Sequence, residues 1–236
     1  MGCPDGRSFG GAASSSAMGC SEIPPVGWDE IPRRKPYPKL DVRVQPRQTN
    51  LKKPEFKHDF TEHEISSEVR YAGGLLKVMR DQVRLPDGGE AWREYIVHPG
   101  AVMMLAFQDP KTILLERQYR YPHRKHFIEL PAGKLEPGEE PLATAKRELV
   151  EECGFEAAEW WQIARLTPSI GYSDEVIYLY GARGLTHVGA KLDVGEHLET
   201  LAVPLDEALA WVRDGIITDT KTAFGIAWWA LWGDRG

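Results

Sequence analysis

Residues 133–155, Gly133-Lys-Leu-Glu-Pro-Gly-Glu139-Glu-Pro141-Leu-Ala-Thr-Ala-Lys-Arg147-Glu148-Leu149-Val-Glu151-Glu152-Cys-Gly154-Phe155, decide how the rest of the chain is read. Pro141 suits the first position of a helix, where its absent N–H is not missed. Gly154 suits the position just past a helix end, where the chain leaves with φ > 0. At about 3.6 residues per turn, Glu148, Glu151 and Glu152 share one face, and Leu142, Ala145, Leu149 and Cys153 form the neighbouring arc. Like charges at this spacing cost roughly 0.2–0.5 kcal/mol per pair. A charge run alone more often marks a solvated helix end. Unopposed carboxylates on one face also suit a divalent cation, and oxygen-only ligands point to Mg²⁺ or Mn²⁺ rather than zinc.

The spacing within this stretch resembles the signature of the Nudix hydrolases: Gly, five residues, Glu, seven residues, Arg-Glu-aliphatic, one residue, Glu-Glu, one residue, Gly, then an aliphatic or aromatic residue. Gly133, Glu139, Arg147, Glu148, Leu149, Glu151, Glu152, Gly154 and Phe155 fill every fixed position. The resemblance implies a loop–helix–loop that holds Mg²⁺ (or Mn²⁺) for cleaving a nucleoside diphosphate linked to another group. It also implies an α/β (α+β) Nudix fold, a mixed sheet sandwiched between helices with a small N-terminal antiparallel sheet. Gly133, Glu139, Arg147 and Gly154 are expected to be structural, the Arg–Glu pair bracing the loop against the helix.

Flanking residues narrow the resemblance to the ADP-ribose pyrophosphatase branch. They are Gln118-Tyr119-Arg120-Tyr121-Pro122, Glu129-Leu130-Pro131-Ala132-Gly133, Leu85-Pro86-Asp87-Gly88, Arg93-Glu94 and His98-Pro99-Gly100-Ala101-Val102. In that branch the amino-terminal meander is exchanged between two subunits, so a homodimer is expected. Arg93 and Arg120 are implied to hold the substrate, a role suited to guanidinium groups; each alone would read as a solvated strand-end arginine. Glu148, Glu152, Glu196 and the carbonyl of Ala132 are the expected metal ligands. Glu151 and Glu196 are the candidate catalytic carboxylates, with Asp193 the alternative to Glu196 in the same loop. One departure is Ile170, standing directly before Gly171-Tyr172-Ser173-Asp174-Glu175 where the branch often has proline.

The remainder of the chain bounds these expectations. It has 236 residues, a formal charge of −6 and 42% hydrophobic residues, enough for one large domain with an extension. A net acidic chain is poorly suited to gripping a nucleic-acid backbone, and no apolar run is long enough to span a membrane. The three cysteines, Cys3, Cys20 and Cys153, lack zinc-like spacing and fit a reducing cytoplasm. Residues 1–60 are expected to form a disordered or extended arm, residues 61–98 the antiparallel meander, and residues 99–236 the hydrolase domain. Residues 21–60 read as a proline-stiffened linker with Trp28 and Tyr37 as its apolar anchors, the alternative being an arm that packs on a partner subunit.

Within the last segment, Gly100–Phe107 reads as a buried strand paired in a hairpin with Thr112–Arg120. Phe127–Gly133 reads as one short strand. Further strands are expected at Trp160–Leu166, Glu175–Tyr180 and Leu198–Val203, and helices at Leu205–Arg213 and Ala223–Trp232. The leading activity is Mg²⁺-dependent hydrolysis of ADP-ribose to AMP and ribose 5-phosphate. The alternatives are another nucleoside diphosphate sugar, such as GDP-mannose or ADP-glucose, and a Nudix-fold binding or regulatory module without turnover.

Overall fold

In the computed structural model, residues 54–192 and 195–233 are described. Most of the expected arm, with Cys3, Cys20, Trp28 and Tyr37, lies outside them, as does Asp193. The strand Ala101–Asp109 (β4) shows how the core is built. Val102, Met104 and Ala106 point to one face, and Met103, Leu105 and Phe107 to the other, all buried. A strand covered on both faces reads as an unbroken apolar run rather than an alternating one.

Helix α1 (Pro141–Cys153) covers the first face through Ala145, Leu149 and Cys153. The helices α2 (Leu205–Arg213) and α3 (Thr220–Trp232) cover the second, where Ala208 and Ile226 meet Met103 and Leu105. Leu142, expected on the buried arc of α1, is instead exposed.

The large sheet runs in the order Leu198–Pro204 (β10), Thr112–Arg120 (β5), β4, Ile177–His187 (β9) and Phe155–Leu166 (β8). β4 and β9 are parallel and the other pairs antiparallel, so the sheet is mixed and sandwiched between helices. Three strands, His63–Ala72 (β1), Lys77–Arg84 (β2) and Glu90–Val97 (β3), form the separate small antiparallel sheet. The Gly171–Glu175 loop ties it to the large one: Ile96 N–H donates to the Tyr172 carbonyl at 2.8 Å, and His98 N–H to the Asp174 carboxylate at 2.7 Å.

Four local expectations need correction. β4 and β5 are not a full hairpin: they pair only at Phe107↔Ile113 and Asp109↔Thr112. Beyond that, β5 pairs with β10 and with Lys125–Glu129 (β6), while β4 pairs with Ala132–Lys134 (β7). The second correction follows, since residues 125–134 form two strands rather than one. Leu130 N–H leaves the ladder for the Thr222 hydroxyl at 2.9 Å. Pro131 has no N–H to give, and its carbonyl accepts from Met104 N–H at 2.8 Å.

Third, β8 begins at Phe155, directly behind Gly154, and β9 runs on to His187. These two pair along nearly their whole length, so partner strands override the weak local signal. Fourth, α3 begins at Thr220, because the Asp219 carboxylate caps it by accepting from Thr222 N–H at 3.0 Å.

The bond from buried Leu130 to Thr222 joins the strand break to α3. Thr222→Val keeps the shape and leaves the Leu130 N–H without a partner. The expected loss is about 1–3 kcal/mol, read as a lower urea midpoint with an unchanged slope.

Candidate active site

Helix α1 emerges as the sequence predicts, from Pro141 to Cys153, with Gly154 at φ 75°. Arg147 sits at the centre of its acidic face. Its Nε and Nη2 donate to the two oxygens of Glu139 at 3.1 and 3.0 Å. Its Nη1 donates to Glu148 at 3.0 Å and to Glu151 at 2.7 Å. One guanidinium thus joins the loop before the helix to two helix carboxylates. Hydrogen bonds from Arg147 hold the Glu139 carboxyl down at about 2.

Gly133, in β7, lies directly against Glu148; a Cβ there would collide with the carboxyl group. The close approach, not a turn, favours glycine here, since any Cβ would have to push the Glu148 carboxyl aside. Ala132 N–H donates to Glu152 at 3.2 Å, so this backbone segment meets both carboxylates. Glu152 is only 6% exposed. Burial, and then the neighbouring charges of Glu116, Glu148 and Glu196, push its pKa up. Glu148 is raised chiefly by burial, against the pull of Arg147, with Glu151 and Glu196 adding to the rise.

Glu196 stands in the loop ahead of β10 and α2. Its charge acts on Glu116, Glu148 and Glu152. The segment leading to it is anchored on the end of α1. Val188 N–H donates to the Gly154 carbonyl at 2.8 Å and Lys191 N–H to that of Glu151 at 2.9 Å. A side chain on Gly154 would strike the backbone of Ala190.

Glu116 is a member of this group that sequence reasoning missed. It is buried on β5, where it accepts from the Cys153 thiol at 3.1 Å. Burial raises its pKa most, and Glu196 and Glu129 add to the rise. The signal available in sequence was a lone carboxylate ending the apolar run Ile113-Leu-Leu. Cys153 is itself raised by burial and then by Glu116, which leaves it a thiol and an unsuitable nucleophile.

Arg120 stands at the end of β5, its Nε and Nη2 donating to Glu129 at 2.7 and 3.0 Å. Burial opposes its charge, but Glu129 outweighs burial, and Glu152 also acts on it. With His123, Phe127, Glu129, Asp219 and Lys221 it lines a cleft of about 300 Å³. Arg93 is not among the residues that line this cleft. It lies on β3 of the small sheet, where Glu62 accepts from its Nε at 2.9 Å.

The donor set fits a hard divalent cation, being carboxylates and backbone oxygen. Glu116 and Glu152 have no cationic side chain at bonding distance among the described residues. Among those residues, no three His, Cys, Asp or Glu side chains converge as a ready ligand set, since Glu148 and Glu151 turn to Arg147. No helix among them is long and apolar enough to cross a membrane.

A model of the NUDIX domain matches residues 97–219. A methanol dehydrogenase activator of Bacillus methanolicus is 39% identical over 174 residues, which are 73% of this chain and 94% of that protein. An ADP-ribose pyrophosphatase of Mycobacterium tuberculosis is 43% identical over 172 residues, covering 72% of this chain and 82% of that one. A solved structure of an ADP compounds hydrolase superposes with a TM-score of 0.67 at 20% identity, covering 74% of this chain and 96% of the other.

The Glu139–Arg147 fork carries a pH signature. Its carboxylate is depressed from 4.5 to about 2, so its stabilisation is present above pH 4.5 and is lost as pH falls toward 2. Glu139→Gln is expected to flatten that acid limb in thermal melts between pH 2 and 5 while leaving the neutral-pH fold intact.

Proposed function

The chain belongs to the Nudix family, and from that premise we propose that it uses water to split the pyrophosphate of ADP-ribose into AMP and ribose 5-phosphate. The observation that carries the reading is the charge gathered at the end of α1. Glu148 packs against Gly133 and Glu152 accepts from Ala132 N–H, and the charges of Glu116 and Glu196 act on Glu152. The likeness to an ADP-ribose pyrophosphatase supports the choice of substrate.

In this reading Glu148, Glu152, Glu196 and the carbonyl of Ala132 would hold Mg²⁺ or Mn²⁺. Such an ion, when bound, neutralises pyrophosphate oxygens and acidifies water. The residues divide the remaining work. Arg120, next to Glu152 in the electrostatic network, offers a guanidinium to the phosphates. Glu196 accepts the proton of the attacking water as its oxygen bonds to phosphorus. The bridging P–O bond breaks, and its electron pair stays on the departing phosphate. Glu151, held by Arg147, keeps a second carboxylate at the same face. Arg147 and Glu139 fix the loop against the helix.

The same reading includes a cytoplasmic homodimer that exchanges the small sheet and brings Arg93 to the partner's site. Support comes from the exposed Ile65, Val69, Tyr71 and Trp92 on that sheet, apolar side chains that a three-stranded sheet rarely leaves in water. A monomeric peak in a solution size measurement would count against it.

A panel of nucleoside diphosphate sugars, assayed with Mg²⁺ and with EDTA, tests the activity. AMP release from ADP-ribose in Mg²⁺ alone is expected; faster turnover of GDP-mannose or ADP-glucose would overturn the substrate choice. Glu152→Gln should fold normally and lose about a hundredfold or more in kcat/KM. Unchanged turnover in that variant would remove Glu152 from the site.

A further inference from the structure

Outside the α1 face, a second set of buried ionic contacts lines the cleft. Glu129 is 4% exposed and stands opposite Glu116 in the β5–β6 register. Two carboxylates facing each other across strands repel, so Glu129 needs cationic partners. It has two. Arg120 grips both its oxygens, and the Lys221 ammonium bonds the oxygen shared with Arg120 Nη2. Lys221 is held in turn by Asp219 at 2.8 Å, the residue that caps α3. Next to it, Thr222 holds Leu130. The start of α3 thus holds Glu129 in the wall of the same cleft that Arg120 lines. The fork with Glu129 uses Nε and Nη2 of Arg120 and leaves Nη1 outside that pair.

We propose that Lys221 is a positioning residue that, through Glu129, sets the guanidinium of Arg120 against the phosphates of the substrate. A lone Glu–Arg fork fixes the plane of the guanidinium but leaves the carboxylate free to swing on its own side chain. The third contact, from a helix start, removes that freedom. Lys221 itself lines the cleft but acts on the substrate through Arg120. The inference rests on Arg120 touching the substrate, as in the function proposed above.

The test is a double-mutant cycle on ADP-ribose hydrolysis in Mg²⁺, with circular dichroism and melting temperature as fold controls. Arg120 binds the phosphates in both ground and transition states, so losing its aim should raise KM and leave kcat nearly unchanged. Lys221→Met is expected to raise KM about tenfold, the worth of one charge-assisted bond. Lys221→Arg should restore most of it. In the Arg120→Ala background, Lys221→Met should add less than about twofold.

An unchanged KM in Lys221→Met, or an equal rise with and without Arg120, overturns the inference. An unchanged KM in Arg120→Ala instead overturns the underlying role of Arg120. Should Lys221→Met fail to fold, Asp219→Asn carries the same test, because Asn also caps helices. It frees Lys221 from its anchor and should raise KM about threefold only where Arg120 is present; no rise there overturns the proposal.

Discussion

Confining several carboxylates in one partly buried place is the constraint that most of this structure answers. Burial raises the proton affinity of Glu116, Glu148 and Glu152 most, and the charges of neighbouring carboxylates, Glu196 among them, add to the rise. Nearby features each take part of that charge. Arg147 holds Glu148 and Glu151 from the helix, the Cys153 thiol donates to Glu116, and the Ala132 amide donates to Glu152. Gly133 lets the backbone come close enough to do so. A binding module with no need of a cation would gain by replacing such a set with apolar side chains.

The scaffold supplies stiffness where that charge has to be held. β4 is packed on both faces, and its neighbour β7 carries the Ala132–Gly133 segment. On the far side, the splay of β5 from β4 opens room for β6 and β7, and with them for Glu129 and the cleft. Arg120 and Glu116 sit on the same strand, which pairs with β10 along one edge and with β6 along the other. The two ends of the site are therefore mechanically one piece.

How much of this was legible in the chain depends on how local its cause is. The ends of α1 were, because Pro141 and Gly154 act within one turn. So were the Leu205–Arg213 helix and the three-stranded sheet. The β4–β5 splay was not, because adjacent strands ordinarily pair; here β6 and β7 take up their edges, and the break between those two sends Leu130 N–H to Thr222, 92 residues away. Glu116 was hidden for a similar reason: its partners Glu152 and Cys153 come from another element. The Lys221–Glu129–Arg120 chain spans the same distance. Arg93 was legible as a residue to notice, yet its guanidinium bonds Glu62, the residue just ahead of β1.

The bond from Lys191 to the Glu151 carbonyl sets a leash length. Glu196 lies five residues beyond that anchor, so its backbone reaches no farther than about 18 Å from it even at full extension. A carboxylate on so short a leash behaves as an intramolecular reagent. Its local concentration at α1 is set by the number of links and not by the solution around it. Inserting residues between Lys191 and Glu196 would dilute that group without altering a single atom of the helix.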